Sequence, residues 1–183
     1  MINGWTVALF LLGRGHGLGA PLVIDDFAYT NTVAARQAWI AGSAPPVAMA
    51  ASGEWGTNQV MTLTCDFAVR NDRCYWDRTV GLNLAAFTDF ALEVFAPDPT
   101  AISYFTLCFR SGAGWYGASA SLGQTGWQTL RFSRSAFIRE GTPTGWDHID
   151  GVRLSPWKGA SRSTYLAVRE LRAFTPSVLI VRD

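Results

Sequence analysis

The strongest constraint on the fold is a succession of short segments in which apolar and polar residues alternate. In Ser103–Arg110, every second residue from Phe105 to Phe109 is large and apolar. This period of two indicates strands with one buried face. The segments that we predict as strands are Leu22–Phe27, Val47–Ala51, Gln59–Ala68, Cys74–Leu84, Thr88–Phe95, Ser103–Arg110, Trp115–Ala120, Trp127–Phe132, Ile149–Leu154 and Thr164–Phe174.

About ten evenly spaced strands with turn residues between them predict an all-β fold, an antiparallel β-sandwich or jelly roll. No helical pattern is long enough for βαβ units. Asn31–Ala41 predicts a helical turn or an irregular crossing, with Trp39 docked on the core. Ser135–Arg139 predicts one short helical turn. Gly112-Ala113-Gly114 predicts a turn into Trp115–Ala120.

The chain of 183 residues suits one domain with a sizeable core, and we predict the β-sandwich over residues 21–175. Residues 1–20 resemble a signal peptide, because the apolar run Trp5–Leu12 is followed by small residues up to Ala20. The alternatives are a first strand, Thr6–Leu12, or a fragment start. The apolar run Pro176–Asp183 predicts a linker or the start of a following domain. A cleaved leader predicts a secreted or periplasmic protein.

The charge balance gives no electrostatic reason to expect a nucleic acid or a membrane surface as partner. The net charge is +1, from 15 basic and 14 acidic residues. The N-terminal apolar run is too short to span a bilayer. Lys158 is the only lysine. We interpret this preference for arginine as a coding bias, so single arginines receive little functional weight.

Three cysteines leave the redox state open. Cys65 and Cys74 flank a predicted hairpin turn, Arg70–Arg73, and are placed to face each other across two strands. In an oxidising compartment they would form a disulfide. The alternative is that these two and Cys108 are small buried thiols. No CxxC motif or Cys/His pair indicates a zinc site.

No catalytic signature stands out, and we predict a non-catalytic protein. GASAS at 117–121 is not the nucleophile motif of the α/β-hydrolases, and His148 beside Asp147 fits a solvated turn. Gly15-x-Gly17-x-x-Ala20 lacks the helix that a dinucleotide motif requires after it. A glycosidase needs two carboxylates at a defined separation. No spacing selects such a pair from the candidates Asp77, Glu93, Asp147 and Asp150.

A structural calcium ion is one interpretation of three acidic residues on the terminal strands. Asp25 and Asp26 lie on the first strand and Glu170 on the last. Terminal strands of a closed sandwich are often neighbours, and clustered carboxylates suit a hard cation. The alternative is that Asp25 or Asp26 ends a strand or pairs with an arginine.

The aromatic residues are the most informative functional signal, because eight tryptophans are many for this length. Several lie beside charged residues near strand ends, and Pro156 predicts a shaped loop that presents Trp157 and Lys158. Sugars bind by stacking on aromatic rings and by hydrogen bonds from polar side chains. The alternative is that the rings cover the sandwich edges. The predicted ligand-binding residues are Tyr75, Trp76, Asp77, Arg110, Trp115, Tyr116, Trp157 and Lys158.

A set of segments along the chain carries a family resemblance. They are DDF, ALEVF, SYFTLCFRSGAGWYGAS, GWQTLRF, F-x-x-x-G-x-P-x-x-W-D-x-I, VRLSPWKG and LAVRELRAF, spread from Leu22 to Phe174. Together they resemble galactose-binding-like β-sandwich domains, in particular carbohydrate-binding modules of family-eleven and family-thirty type and the domain of complex-I intermediate-associated proteins. The resemblance implies a glycan-binding cleft lined by strands and aromatic residues, a structural calcium near the first strand, and a neighbouring catalytic domain in a secreted hydrolase.

The leading hypothesis is therefore a secreted, non-catalytic module that binds a carbohydrate or polysaccharide and assists a following catalytic domain. A protein interaction or assembly domain of the same fold, without a sugar site, is the first alternative. A β-sandwich polysaccharide hydrolase or lyase is the second.

Overall fold

The computed structural model describes residues 20–51, 55, 59–70 and 72–176. The predicted signal peptide and C-terminal tail lie outside these residues, except for Ala20 and Pro176. One α-helix, α1 (Thr32–Ala38), and two 3-10 turns, Pro99–Ala101 and Arg134–Ala136, occur in the described part. Its strands are β1 (Leu22–Asp25), β2 (Ile40–Ala41), β3 (Ala48–Met49), β4 (Met61–Cys65), β5 (Trp76–Leu82), β6 (Asp89–Ala96), β7 (Ile102–Ala120), β8 (Gly126–Ser133), β9 (Ile138–Pro143), β10 (Ile149–Lys158) and β11 (Thr164–Phe174).

The strands form two antiparallel sheets, which confirms the predicted β-sandwich. One sheet has the order β3-β4-β11-β6-β8, and β1 also pairs with β11. The long strand β11 has room for β4 and then β1 along the same edge, because they pair with different parts of it. The other sheet has the order β2-β5-β10-β7-β9 and is called the five-stranded sheet below.

The hydrophobic core lies between the two sheets and follows the predicted alternation. Phe105, Leu107 and Phe109 of β7 are fully buried, as are Leu92 and Val94 of β6. Burying each such side chain contributes about 1.5–3 kcal/mol relative to leaving it in water. The residues between them on β7 face outward, so the same alternation that builds the core also builds an outer surface.

Strand β7 folds back on itself at Gly112, as the glycine pattern predicts. The Thr106 and Ser119 hydroxyls are hydrogen-bonded at 2.9 Å, although a straight strand would separate residues so spaced by about 44 Å. Gly112 has φ +58°, a backbone conformation that favours glycine. Ile102–Ala120 therefore contributes two antiparallel arms to the five-stranded sheet, one beside β10 and one beside β9.

The predicted helical turn near residue 31 is confirmed as α1. Asn31 is the N-cap, and its side-chain oxygen accepts a hydrogen bond from the N–H of Ala34 at 2.9 Å. Trp39 directly after the helix is 1% exposed and packs in the core, as expected. No helix in the described part of the chain is long and apolar enough to cross a membrane.

Strand β9 is absent from the sequence prediction, which placed a helical turn at Ser135–Arg139. The 3-10 turn is confined to Arg134–Ala136, and the chain then forms an edge strand. Almost every side chain of β9 is exposed. A strand exposed on both faces has no apolar alternation, so its sequence carries no period-two signal.

The predicted loop after Pro156 is wrong, because β10 continues through Pro156 to Lys158. Proline lacks the N–H that a central strand normally needs. Pro156 lies opposite Cys74, whose N–H donates to the Pro156 carbonyl at 3.1 Å. The Cys74 carbonyl accepts a hydrogen bond from the Ser155 hydroxyl at 3.3 Å, which replaces the missing backbone donor.

The three cysteines are free thiols in this structure. Burial, and then a hydrogen bond with Cys74, raises the pKa of Cys65 well above its usual value. The Cys74 thiol donates to an Asp66 carboxylate oxygen at 3.4 Å. Cys65 ends β4 in one sheet and Cys74 precedes β5 in the other, so the predicted hairpin between them does not form.

Candidate functional site

The outward face of the five-stranded sheet contains a cleft with a volume of about 230 Å³. Strand β10 supplies Arg153 and Trp157 to this cleft. The first arm of β7 supplies alternate residues from Tyr104 onward, and the second arm supplies alternate residues from Trp115 onward. The lining residues are Arg73, Tyr104, Thr106, Cys108, Trp115, Gly117, Ser119, Ile138, Glu140, Arg153 and Trp157.

Strand register explains why these side chains meet. Arg153 lies directly opposite Asp77 of β5 on one side and Cys108 of β7 on the other. Directly opposed residues of antiparallel strands point to the same face of the sheet. Trp157 is likewise opposite Tyr104, and an isolated bridge pairs it with Arg73.

Arg153 is the central side chain of the cleft. Its Nε and one terminal nitrogen donate to the two carboxylate oxygens of Asp77 at 2.6 and 2.7 Å. Its guanidinium carbon lies 4.2 Å from the ring centre of Tyr75 and 4.3 Å from that of Trp115. The hydrogen bonds to Asp77 raise the pKa of Arg153, so the guanidinium remains charged at every working pH.

The same alternation of rings and guanidinium groups continues in both directions from Arg153. Arg73 lies 5.3 Å from the ring centre of Tyr75 and 4.9 Å from that of Trp157. Arg110 lies 5.9 Å from the ring centre of Trp115, within the range of cation–π attraction. We call this row the aromatic–arginine ladder, and its members in order are Trp157, Arg73, Tyr75, Arg153, Trp115 and Arg110.

Both ends of the ladder are held by neighbouring side chains. The indole N–H of Trp157 donates to the Thr106 hydroxyl at 3.1 Å, and its ring stacks on Tyr104 with the ring centres 5.3 Å apart. Arg110 forms an ion pair with Asp150. Hydrogen bonds from Arg110 lower the pKa of Asp150.

The floor of the cleft is made of small residues. Gly117 lies across from Cys108, and a Cβ atom added at Gly117 would lie 3.6 Å from the Cys108 sulfur, an ordinary contact distance. Burial raises the pKa of the Cys108 thiol to about 11. The thiol is therefore neutral at physiological pH and adds no charge to the floor of the cleft.

The structure brings five of the eight predicted ligand-binding residues to the cleft or its margin. Trp115 and Trp157 line it, and Tyr75, Asp77 and Arg110 lie beside the lining residues in the contacts given above.

The other three predicted ligand-binding residues point elsewhere, which corrects the prediction. Trp76 is fully buried and its indole N–H donates to the Pro45 carbonyl at 2.7 Å. Tyr116 is 3% exposed and stacks on Trp146 at 4.4 Å. Each follows a cleft residue by one position and so faces the core. The Lys158 amine donates to the Arg70 carbonyl at 2.7 Å, outside the cleft lining.

The residues proposed for calcium are not arranged around a common point. Asp25 is buried, pairs with Arg78, and accepts hydrogen bonds from Tyr29 and Trp39 side chains at 2.7 and 2.9 Å. Asp26 is exposed and accepts a hydrogen bond from the Ala28 N–H.

Glu170 pairs with Arg172 at 2.6 Å and lies next to Leu171, the core-facing residue opposite Asp25. Its side chain therefore points to the other face of the sheet. In the described residues no group of three or more acidic, Cys or His side chains is placed to hold a metal ion. The three carboxylates do not fit a calcium ion.

Sequence reasoning missed several cleft residues, above all Arg73 and Arg153. Arginine is the common basic residue of this chain, so its presence at these two positions carries no distinct signal. A usable signal was present for Arg153, since it lies four residues before Trp157 on one strand and therefore shares its face. Glu140 was missed together with its strand, β9.

A larger cavity, of about 580 Å³, lies elsewhere and is lined in part by Phe137, Trp146 and Arg139. Its aromatic rings pack on one another: the Phe137 and Trp146 ring centres are 5.3 Å apart, and Trp146 also stacks on buried Phe90. These rings extend the core, whereas the rings of the ladder lie on an outer sheet face. The ladder is therefore the stronger candidate site.

No family model matches the sequence, and no curated protein matches it significantly. Solved structures do match. A family 11 carbohydrate-binding module of a cellulosomal cellulase of Clostridium thermocellum has a TM-score of 0.55 at 16% identity, covering 87% of this chain and 96% of the module. A family 11 module of that organism, in complex with a β-1,3-1,4-mixed-linked tetrasaccharide, has a TM-score of 0.54 at 15% identity, covering 85% and 95%.

Part of a larger enzyme also matches. An agarase has a TM-score of 0.58 at 11% identity, covering 86% of this chain but 25% of the agarase. At such low identity the likeness concerns fold and not ligand. The chain has the β-sandwich fold of carbohydrate-binding modules, as the resemblance implied. The resemblance to complex-I intermediate-associated proteins stays a prediction.

Proposed function

We propose that this chain is a non-catalytic carbohydrate-binding module that holds a polysaccharide against the aromatic–arginine ladder. The observation that carries the proposal is the row of three rings and three guanidinium groups across an outward sheet face. Large rings in a core need no such row of charged partners. On an outer face they offer apolar surface to sugar C–H groups and donors to sugar hydroxyls.

Rigidity of the ladder favours binding. Trp157 is held by Thr106 and Tyr104, and Arg153 is held by Asp77. Side chains that are already ordered lose little conformational entropy when a ligand arrives. The ladder therefore binds a flat, extended ligand at low entropic cost.

The polar groups around the ladder match the rims of sugar rings. Thr106 and Ser119 present hydroxyls on the cleft floor, and Glu140 presents an acceptor at the β9 side. Three arginines supply donors. Such a mixture of rings with a few convergent polar groups is the usual layout of a small-molecule or glycan site.

Binding rather than hydrolysis fits the carboxylates of the cleft. Glycoside hydrolysis uses two carboxyl groups, of which one donates a proton. Both Asp77 oxygens accept hydrogen bonds from Arg153, so Asp77 serves to position that guanidinium. Glu140 is the one carboxylate among the residues lining the described cleft, which argues against the hydrolase or lyase alternative.

We extend the proposal to an accessory role beside the catalytic domain of a secreted hydrolase. The support is that the agarase matches over 25% of its own length, as one part of a larger enzyme. A neighbouring module that holds the polysaccharide raises its effective concentration at a catalytic domain.

The test is affinity electrophoresis of the full chain in gels that contain mixed-linked β-glucan, agarose or other plant and algal polysaccharides. Trp115→Ala removes a ring of the ladder. Trp127→Ala is the matched control, because Arg169 lies 4.3 Å from its ring centre, the same distance as Arg153 from Trp115, but on the other sheet. We expect Trp115→Ala to weaken retention at least about tenfold and Trp127→Ala to leave it unchanged.

Thermal unfolding of both variants checks that they fold. Retention by no polysaccharide, with a folded protein, would refute the proposal and favour the interaction-domain alternative. Equal losses for Trp115→Ala and Trp127→Ala would refute the ladder as the site. Turnover of a polysaccharide by the chain would favour the enzyme alternative.

A further inference from the structure

Arg73 differs from the other two arginines of the ladder because it has no carboxylate partner. Arg153 pairs with Asp77 and Arg110 pairs with Asp150. No ion pair in the described part of the chain includes Arg73. The adjacent Asp72 carboxylate accepts a hydrogen bond from the backbone N–H of Arg73 at 2.6 Å. The N–H groups of the Arg73 guanidinium are therefore available to an anionic ligand.

The surroundings of Arg73 differ from those of the other arginines that form no ion pair. Arg131 and Arg139 are exposed on the edge strands β8 and β9, where water solvates them. Arg36 and Arg134 donate to backbone carbonyls. Arg73, in contrast, is partly buried in the cleft between two rings. The two rings attract the Arg73 cation but carry no opposite charge, so a partly desolvated guanidinium here gains further stabilisation from an anion that enters the cleft.

We propose that Arg73 forms a subsite for an anionic group of the glycan, a carboxylate of a uronic acid or a sulfate ester. The inference rests on the proposed function and names the class of polysaccharide. A guanidinium presents parallel N–H groups that match two oxygens of a carboxylate or sulfate. A neutral hydroxyl uses only one of these donors and gains no charge attraction.

Glu140, on the opposite side of the cleft, determines which end of the ladder binds the charged sugar. Glu140 lies opposite Trp115 in the register of β7 and β9, whereas Arg73 lies opposite Trp157 of β10. The Glu140 carboxylate repels an anionic group there. The charged sugar is therefore bound at the Trp157 end, and a neutral part of the chain lies towards β9.

The experiment compares ligands that differ only in charge, with the full chain in affinity electrophoresis. Polygalacturonate is compared with its methyl ester, and a sulfated galactan with the same galactan after desulfation. We expect retention about tenfold stronger by at least one charged polymer than by its neutral counterpart. Arg73→Gln should abolish this difference. Arg131→Gln removes the same charge from the other sheet and should preserve it.

The outcomes separate the two proposals. Retention by neutral polysaccharides, with no gain for either charged one, overturns the anionic subsite and leaves the proposed function standing. A gain that Arg131→Gln reduces as much as Arg73→Gln overturns the subsite as well, because it reflects overall charge. Retention by no polymer overturns both. A gain for only one charged polymer identifies whether the group is a carboxylate or a sulfate.

Discussion

The guanidinium of Arg153 lies over the ring of Trp115, with its central carbon 4.3 Å from the ring centre. The two residues come from different strands, β10 and the second arm of β7, and Tyr75 meets Arg153 from the opposite side of β10. Asp77 fixes the guanidinium between the two rings by two hydrogen bonds. One ion pair thus positions a guanidinium that contacts two aromatic rings.

Breaking this ion pair should cost stability as well as binding. We expect a coupling free energy of about 1–2 kcal/mol between Arg153 and Asp77, because a bidentate, half-buried pair leaves an unpaired charge when one partner is removed. A double-mutant cycle of Arg153→Ala and Asp77→Ala in urea unfolding measures it. The matched control is the Arg162–Asp98 pair, which is also bidentate but has a more exposed arginine and lies outside the cleft. Coupling no larger than in that control would contradict the prediction.

Filling the floor of the cleft should remove binding without unfolding the protein. At Gly117 an added Cβ meets the Cys108 sulfur only at 3.6 Å, so a side chain is accommodated and extends into the cleft. We expect Gly117→Leu to lose polysaccharide retention in affinity gels, while Gly117→Ala retains most of it. Unchanged retention by Gly117→Leu, with normal thermal unfolding, would place the ligand elsewhere.

Ionisation of Cys108 should destabilise the protein at alkaline pH. Its pKa is raised to about 11 by burial, whereas an unfolded thiol has a pKa of about 8.5. Between these values the unfolded state loses its proton first, so the stabilising contribution that is present below pH 8.5 is lost as the pH rises to 11. At pH 10 the loss is about 2 kcal/mol relative to pH 7.

Urea unfolding at pH 7, 9 and 10 measures this loss in the wild type and in Cys108→Ala. The variant should lose less stability over the same range. Some loss should remain in the variant, since the pKa of buried Cys65 is raised too. Parallel pH profiles of the two proteins would show that Cys108 does not ionise as expected.

Calcium should have no effect on stability. Asp25 already has an arginine partner and hydrogen bonds from Tyr29 and Trp39. If Asp25 bound a cation instead, one of these buried donors would lose its hydrogen-bond acceptor. Thermal unfolding with a chelator and with millimolar calcium should therefore give the same midpoint. A calcium-dependent rise, lost in Asp26→Asn or Glu170→Gln, would restore the calcium site that the resemblance implied.

The fold class could be predicted from the sequence, because the alternation of a strand and the residues of a turn are visible within a few consecutive residues. The alternation in Ser103–Arg110, the turn at Gly112 and a helical turn within Asn31–Ala41 all appear in the structure as predicted. Strand β9 was beyond this reasoning, since an exposed edge strand needs no apolar alternation. Its residues pair with β7 through the backbone, which any sequence supplies.

The sequence by itself determined that aromatic residues would lie near charged ones on the strands, but it did not determine which ring of each pair faces outward. In Tyr75-Trp76 and Trp115-Tyr116 the residues alternate between faces, and both members are aromatic, so period two alone is ambiguous. The tertiary structure decided it, because only one sheet face packs on the other sheet. It also decided the order and register of β5, β10 and β7. The ladder consists of cross-strand contacts, and these depend on register rather than on any local stretch of chain.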